Sequence, residues 1–478
     1  MVGIDAISFY VPNLYLDIKD LAAARDIPFE KLNKGLGLTK MAVPDVNEDA
    51  ASFAANALLK LIEHNNLDPN TIGRVYLGTE SALDASKPTA TYAIEAVENQ
   101  LADTYGVRSF KHCDVVDMTF ACVGAVDALQ NCIDWVRNDA NRKAVVIASD
   151  VSKYELNSTG EYTQGAGAVA VLVTSNPSIL AIDDTWGIAT KSEGDFFKPR
   201  RQFQKSNLIN DLIENLDIKH SKEQIESLLK AANSEFWSDP NQQYEVFKEE
   251  PVFDGQFSNQ CYSDRITEAF DHFNAQQKTD FLTEWNHLVF HLPYAYHGRR
   301  IVYSNWMNWL EASGEIEKLY QEIGHPNDSD PKDWKRSAVK SKLYREFVDQ
   351  KIAATELASS EIGNMYTASI FMSLLSVLSD SVDNDKDLSN QTIGFIGYGS
   401  GSKSKVFQGT VLPSYKEKLQ GINLFQTLAN RQQIDVATYE ALHTNALDKE
   451  ISKENAITVS HVETGENIKG LRKYSLKK

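Results

Sequence analysis

Apolar and polar positions along this 478-residue chain switch repeatedly between strand-like and helix-like spacing. Residues 2–11 (VGIDAISFYV) read as a strand, and residues 50–64 (AASFAANALLKLIEH) carry helical periodicity. A β-rich run at 73–79 (GRVYLGT) ends at Glu80. Residues 144–149 (AVVIAS) suit a buried strand, and residues 162–173 (YTQGAGAVAVLV) are glycine-rich and then strongly β. Such alternation predicts an α/β fold.

The middle of the chain is different. Residues 200–250 are polar, with helical stretches at 211–216 (DLIENL) and 222–233 (KEQIESLLKAAN). Residues 312–352 are also hydrophilic, with a loop signal at 325–331 (HPNDSDP), and both read as mostly helical surface insertions. The tail after residue 415 has few β signals and is expected on the outside.

A long-range repeat underlies the pattern. VYLGTES, ACVGAVDAL and YTQGAGAVAVLV in the first half answer to LVFHLPY, GNMYTASIFMSLL and IGFIGYGSGSKSKVF in the second. Each set reads as a strand ending in a polar group, a small-residue turn into a helix, and a glycine-flanked strand. The repeat pairs Glu80 with His291 and Cys122 with Asn364. It divides the chain into a half at 1–180, an insertion region at 181–284 and a second half at 285–478.

Composition narrows the function. With 48 Lys+Arg against 66 Asp+Glu, the net charge of −18 repels nucleic acid and anionic membrane. No run reaches the length of a membrane span, and the first residues lack the basic start of a signal peptide. Four cysteines, Cys113, Cys122, Cys132 and Cys261, form no disulfide framework and have no C-x-x-C spacing, so reduced thiols, a cytoplasmic setting and no metal centre are expected.

Cys122 is expected to begin a helix, where the positive end favours thiolate, with Ala121, Gly124 and Ala125 leaving room for a substrate. The alternative is a buried cysteine acting as a small hydrophobe, the reading that Cys132 takes. His291, after an apolar run and before a proline turn, is placed as an acid or base, or else as a structural histidine. Asn364 can cap a helix or share a hydrogen bond with an imidazole. Glu80, at the end of a buried strand, can be a general base or a helix N-terminal charge. The turns at 398–402 (YGSGS) and 164–168 (QGAGA) are tight turns, or bring N–H groups to a thioester oxygen. Neither is a phosphate loop or a dinucleotide fingerprint.

Together, GIDAISFYVP, KGLGLTKMAVPDVNEDA, LGTESALDASKP, ACVGA, ASDVSKYELNSTGEYTQGAGAVA, GDFFKP, FDGQFSNQCY, FHLPY, GNMYTAS and GYGSG resemble, in order and spacing, the hydroxymethylglutaryl-CoA synthases of the thiolase superfamily. The resemblance implies two similar halves in a layered αβαβα core, usually dimeric. It implies that acetyl-CoA and acetoacetyl-CoA are the substrates, with no cofactor, in the mevalonate route to isoprenoids. Cys122 would take the acetyl group, Glu80 would draw a proton from its methyl, and His291, held by Asn364, would serve the acetoacetyl carbonyl. The N–H of Ser400, beside Gly399, would join that of Cys122 in an oxyanion hole. Asp150, Thr163, Asp195 and Tyr366 also fall on positions used around the site.

There are departures. Tyr296 stands where the family usually has a lysine that helps hold CoA, with Arg299 and Arg300 as the expected substitutes. Val123 replaces a common tyrosine, and the span from Asp195 to His291 is long. The main alternative is the same condensation on acyl-carrier-protein thioesters, which the acidic surface opposes. A decarboxylating ketosynthase would not need Glu80. A papain-like peptidase lacks its local cysteine signature. A silent scaffold would not keep Glu80, Cys122, His291 and Asn364 together.

Overall fold

The computed structural model describes residues 1–216, 221, 223–224, 227, 243–326 and 331–477. The chain forms two compact units, one of residues 1–195 with 255–478 and a small one of residues 196–254.

The large unit is built on nine strands: β1 (Val2–Tyr10), β2 (Arg74–Gly78), β3 (Asp114–Met118), β4 (Lys143–Ser152), β5 (Gly165–Ser175), β6 (Leu180–Thr190), β7 (His287–Phe290), β8 (Thr392–Gly399) and β9 (Lys403–Val411). Their order is β7-β8-β9-β6-β1-β5-β4-β2-β3. The order is nearly symmetric about the junction of β6 and β1, where only Gly3–Ala181 and Ile4–Leu180 pair. On one side β4 runs parallel to β2 and antiparallel to β5. On the other, β8 runs parallel to β7 and antiparallel to β9. The expected repeat is therefore a repeat of two sheet arms, and β3 is the strand without a counterpart.

Side-chain alternation sorts the layers, because successive strand residues face opposite sides. Ala144, Val146 and Ala148 of β4 pack toward two central helices, α3 (Gly124–Arg137) and α5 (Ser369–Asp383). Val145 and Ile147 face outward onto α1 (Ala50–His64) and α2 (Thr89–Tyr105). In the second arm Val289 of β7 faces the central helices, while Leu288 and Phe290 face α4 (Gly255–Gln276) and helices from residues 303–351. The five layers are helix, sheet arm, central helices, sheet arm, helix.

The expected elements at 2–11, 50–64, 73–79, 144–149 and 162–173 fall on β1, α1, β2, β4 and β5. The separate unit is narrower than the expected 181–284 insertion. Residues 180–190 are β6 and residues 255–276 are α4, and both are bound into the large unit through side chains such as Trp186, Ile266 and Phe273. In the small unit, helix Lys205–Asn215 is joined by an antiparallel pair, Arg200–Gln204 with Gln243–Phe247, which the helical reading of 200–250 did not include. The stretch 222–233 lies almost wholly outside the described residues, as do residues 327–330 of the 325–331 loop. Residues 316–323 and 331–351 are helical but not a mere surface addition, since Leu319, Ala338, Tyr344, Phe347 and Val348 are buried in the second arm's outer core. The tail contains a hairpin, Ile457–Val462 with Arg472–Leu476, that closes on the α1–α2 layer through Ile457 and Tyr474.

Candidate active site

The ends of β2, β4, β7 and β8 and the starts of α3 and α5 converge. Cys122 is not in the first turn of α3: the helix begins at Gly124, and Cys122 lies in the turn before its cap residue Val123. Ala121, directly ahead of it, has φ +39°. Alanine gains nothing from that left-handed conformation, which costs about 1–3 kcal/mol unless the surroundings impose it. They do so by close approach. A Cβ on Gly78 would fall 2.3 Å from Ala125 N, and one on Gly399 would fall 2.6 Å from Phe120 O, so both positions must be glycine for the strand ends to touch the turn.

Glu80 lies two residues beyond β2, and its Oε1 is 2.9 Å from Cys122 Sγ. A thiol and a carboxylate at this separation share a proton. Asp150, fully buried, fixes the pair from behind. Its Oδ1 accepts from Glu80 N–H (2.8 Å) and Thr79 Oγ1 (2.9 Å), and its Oδ2 accepts from Thr367 N–H (3.0 Å). Thr367 Oγ1 in turn accepts from Ala125 N–H (2.8 Å). One carboxylate thus ties together the strand end bearing Glu80, the turn before α5 and, through Thr367, the start of α3.

His291 is 2% exposed and follows β7 directly. Its N–H donates to Ile396 O (3.0 Å), and its carbonyl accepts from Tyr262 Oη (2.8 Å). Burial pushes the imidazole down to about 3, against the opposing effect of a hydrogen bond with the Tyr366 backbone, so the ring is neutral at physiological pH. Its Nδ1 lies 2.6 Å from Ser369 Oγ, and that oxygen accepts from Leu292 N–H at 3.1 Å. The Ser369 hydroxyl can donate to Nδ1, and with that assignment the ring proton sits on Nε2 of a neutral imidazole.

Asn364 does not hold the imidazole in this structure. Its Oδ1 accepts from Tyr366 N–H (2.8 Å), and its N–H donates to Thr163 O (2.9 Å). It shapes the turn, while Ser369, five residues on, meets the ring. Nor does the fold make Asn364 the counterpart of Cys122. Tyr366, at φ +43°, lies three residues before α5, as Ala121 lies three before α3, so Thr367 is the matching position. Thr163 contributes its carbonyl, and its own Oγ1 donates to Gly160 O.

Asp195, fully buried, organises the glycine turn. It accepts from Tyr398 Oη (2.8 Å), Gly401 N–H (2.8 Å) and Ser258 Oγ (3.3 Å). Ser400 is half-buried in that turn, next to the Gly399 contact with the nucleophile turn. Tyr262 stacks on Tyr398, with ring centroids 4.2 Å apart and planes 9° apart. Burial raises the phenols of Tyr154, Tyr262 and Tyr366, and the nearby Cys122 charge raises them further, so they remain O–H donors.

The basic residues after His291 are engaged elsewhere. Arg299 lies 3.8 Å over the Tyr296 ring and is paired with the buried Glu356, whose carboxyl burial pushes up to about 7. Arg300 is exposed and donates to Gly35 O (2.6 Å). Among the described residues no group of three or more His, Cys, Asp or Glu could hold a metal ion.

Sequence reasoning assigned no role to Thr79, Tyr154, Tyr262, Thr367 or Ser369. Tyr262 and Ser369 lie within FSNQCY and GNMYTAS, so their segments were visible. Their contacts to His291 join residues 29 and 78 positions apart.

The arrangement provides a thiol in contact with a carboxylate, a neutral imidazole and a glycine turn beside the thiol. That set suits acyl transfer and abstraction of a proton next to a thioester. Comparison with known proteins agrees. Residues 1–178 match the family model described as hydroxymethylglutaryl-coenzyme A synthase N terminal, and residues 235–465 match its C-terminal counterpart. A hydroxymethylglutaryl-CoA synthase of Haloferax volcanii is 29% identical over 468 residues, covering 95% of this chain and 94% of the relative. One of Enterococcus faecalis is 29% identical over 453 residues, covering 95% and 94%. A solved structure of MvaS in complex with 3-hydroxy-3-methylglutaryl coenzyme A superposes with a TM-score of 0.73 at 25% identity, covering 100% of this chain and 99% of that one. The curacin-pathway HMG synthase in complex with acetyl donor-ACP has a TM-score of 0.71 at 22% identity, covering 99% of each, and shares the fold.

Proposed function

The chain belongs to the hydroxymethylglutaryl-CoA synthase family, and from that membership we propose that it condenses acetyl-CoA with acetoacetyl-CoA and water to 3-hydroxy-3-methylglutaryl-CoA and CoA through an acetyl-Cys122 intermediate. In general terms it is an acyltransferase that forms a carbon–carbon bond. The observation that carries the finer reading is the 2.9 Å contact between Cys122 Sγ and Glu80 Oε1.

Cys122 attacks the acetyl thioester carbonyl, and CoA leaves as its thiol. Glu80 then takes a proton from the methyl of the enzyme-bound acetyl group, and the N–H groups of Cys122 and Ser400 stabilise the oxyanion. The carbanion attacks C3 of acetoacetyl-CoA. The Nε2–H of His291 polarises that carbonyl and supplies the proton that makes it a hydroxyl, and the proton that Glu80 took from the methyl restores the imidazole and leaves Glu80 a carboxylate. Water hydrolyses the bond to Cys122. Asp150 braces Glu80, Ser369 meets the His291 ring, Asp195 organises the turn of Ser400, and Asn364 with Thr163 and Tyr366 shapes the turn before α5. Every step is nucleophilic or acid–base chemistry and calls for no metal or redox cofactor.

We assign the protein to the mevalonate route in the cytoplasm, as a homodimer. Among the described residues the four cysteines are free, and no helix is long and apolar enough to cross a membrane. Exposed Arg300 is the basic group we place nearest to CoA.

The test is to supply the purified protein with both CoA thioesters and detect product by mass spectrometry. Product at a steady rate is expected. An acetyl group on Cys122 without product favours the second reading, condensation on acyl-carrier-protein thioesters. The one feature in its favour is Tyr296 in place of the usual CoA-binding lysine, and the net charge of −18 opposes it for an acidic carrier.

Ser369→Ala removes the partner of His291 Nδ1 and frees the ring to place its proton there. Acetylation of Cys122 is expected to continue at its normal rate, while turnover through condensation falls about 10²–10³-fold, the loss that follows removal of an oriented donor. Single-turnover acetylation compared with steady-state product formation separates the two.

A further inference from the structure

The turn carrying Cys122 is braced by charged residues from the other half of the fold. Lys403 and Lys405 begin β9, and as alternate residues they face the same side as Phe407, toward the central helices. Asp127 stands in the first turn of α3. Its two oxygens take one lysine each: Oδ2 is 2.5 Å from Lys403 Nζ, and Oδ1 is 2.7 Å from Lys405 Nζ. Lys405 also donates to Gln130 Oε1 (2.5 Å), one helical turn further on. The three side chains are only 15%, 7% and 17% exposed. Two ammonium groups against one carboxylate leave one positive charge without an ionic partner in this triad. Lys403 Nζ also lies 4.0 Å from the centroid of the Phe120 ring, a cation–π contact made stronger by partial desolvation.

Phe120 is two residues ahead of the nucleophile and adjoins Ala121, whose left-handed φ of +39° does not persist without outside support. Gly399 presses on the Phe120 carbonyl from one side. The ring on the other end of the residue is held by Lys403, and Lys403 is held by Asp127. Carbonyl and ring together leave the Phe120 backbone little freedom to relax.

We propose that Lys403 is a positioning residue for the nucleophile: anchored by Asp127, its ammonium clamps the Phe120 ring and keeps the Ala121–Cys122 backbone in the conformation that attacks the thioester. The proposal rests on the reading of Cys122 as the acetyl acceptor. Lys403 does not touch the reacting atoms, so its removal acts on the rate of attack rather than on acetyl-CoA binding.

The experiment uses the full chain and measures single-turnover acetylation of Cys122 against acetyl-CoA concentration, for the unmodified protein, Lys403→Gln, Lys403→Arg and Phe120→Leu. Lys403→Gln is expected to lower the limiting acetylation rate about 10–100-fold, the scale of a small displacement of a reacting group. Half-saturation by acetyl-CoA should stay unchanged. Lys403→Arg, which keeps both the charge and a stacking face, should restore most of the rate. Phe120→Leu, which keeps an apolar side chain but removes the π face, should lose rate in the same step, and it carries the test if the glutamine variant does not fold. An unchanged limiting rate in both Lys403→Gln and Phe120→Leu overturns the proposal, as does a loss that Lys403→Arg fails to rescue. If the unmodified protein takes no acetyl group on Cys122, the reading of the nucleophile itself has failed, and the proposal falls with it.

Discussion

Cys122→Ser should leave a folded protein that takes no acetyl group from acetyl-CoA, with turnover reduced by about 10⁴-fold or more, the scale on which removal of a covalent nucleophile acts. Serine matches the thiol closely in size, and Cys122 is only 9% exposed, so the thermal midpoint should move little. The assignment is discriminating because the other three cysteines are poor candidates. Burial pushes Cys113 and Cys132 up to about 12 and Cys261 up to about 11, which keeps all three as thiols at physiological pH. Intact-protein mass after incubation with acetyl-CoA, followed by peptide mapping, reads the outcome. Retention of the full adduct in the serine variant would move the nucleophile to another residue.

Glu80→Gln should give the complementary defect. Glutamine keeps the side-chain size, and the backbone N–H to Asp150 is untouched, so the cysteine turn stays braced. The variant is expected to acetylate Cys122 yet lose about 10²–10⁴-fold in condensation, the range for removal of a general base. Acetyl-enzyme should accumulate and product should not, which quenched-flow sampling of adduct and product resolves. Normal condensation by this variant would mean that another group draws the methyl proton. The 2.9 Å contact with Cys122 Sγ makes Glu80 the nearest carboxylate identified at that sulfur. The two variants together separate the half-reactions: the first blocks before the intermediate, the second after it.

Much of this was legible in the chain itself. Alternation marked β1, β-rich or continuous apolar runs marked β2, β4 and β5, and the spacing of 50–64 marked α1, because hydrophobic patterning is a local property that survives without knowledge of the partners. The doubled order of strand, small-residue turn and glycine-flanked strand announced two similar halves. Glu80 and Cys122 could be singled out because each follows an element boundary that glycine and small residues reveal. The C-terminal hairpin and the strands of the small unit were missed because each strand is short and set in a polar stretch of chain. The helices at 316–351 looked like additions because polar faces dominate their composition, although a single apolar stripe on each is buried.

Tertiary structure alone decided who meets whom. Ser369, not Asn364, reaches His291 Nδ1, and the difference lies in which face of a turn points at a ring 78 residues away in sequence. Thr367, not Asn364, matches Cys122, as the two left-handed residues Ala121 and Tyr366 reveal only once backbone angles are known. Asp150 was one acid among many until its two oxygens were found to join Glu80, Thr79 and Thr367. Lys403 and Asp127, 276 positions apart, carried no signal at all. Local periodicity determined the elements and the sites' neighbourhoods. Hydrogen-bond directions and ion pairs between distant segments were settled by packing, because a donor acquires its partner only when the chain closes on itself.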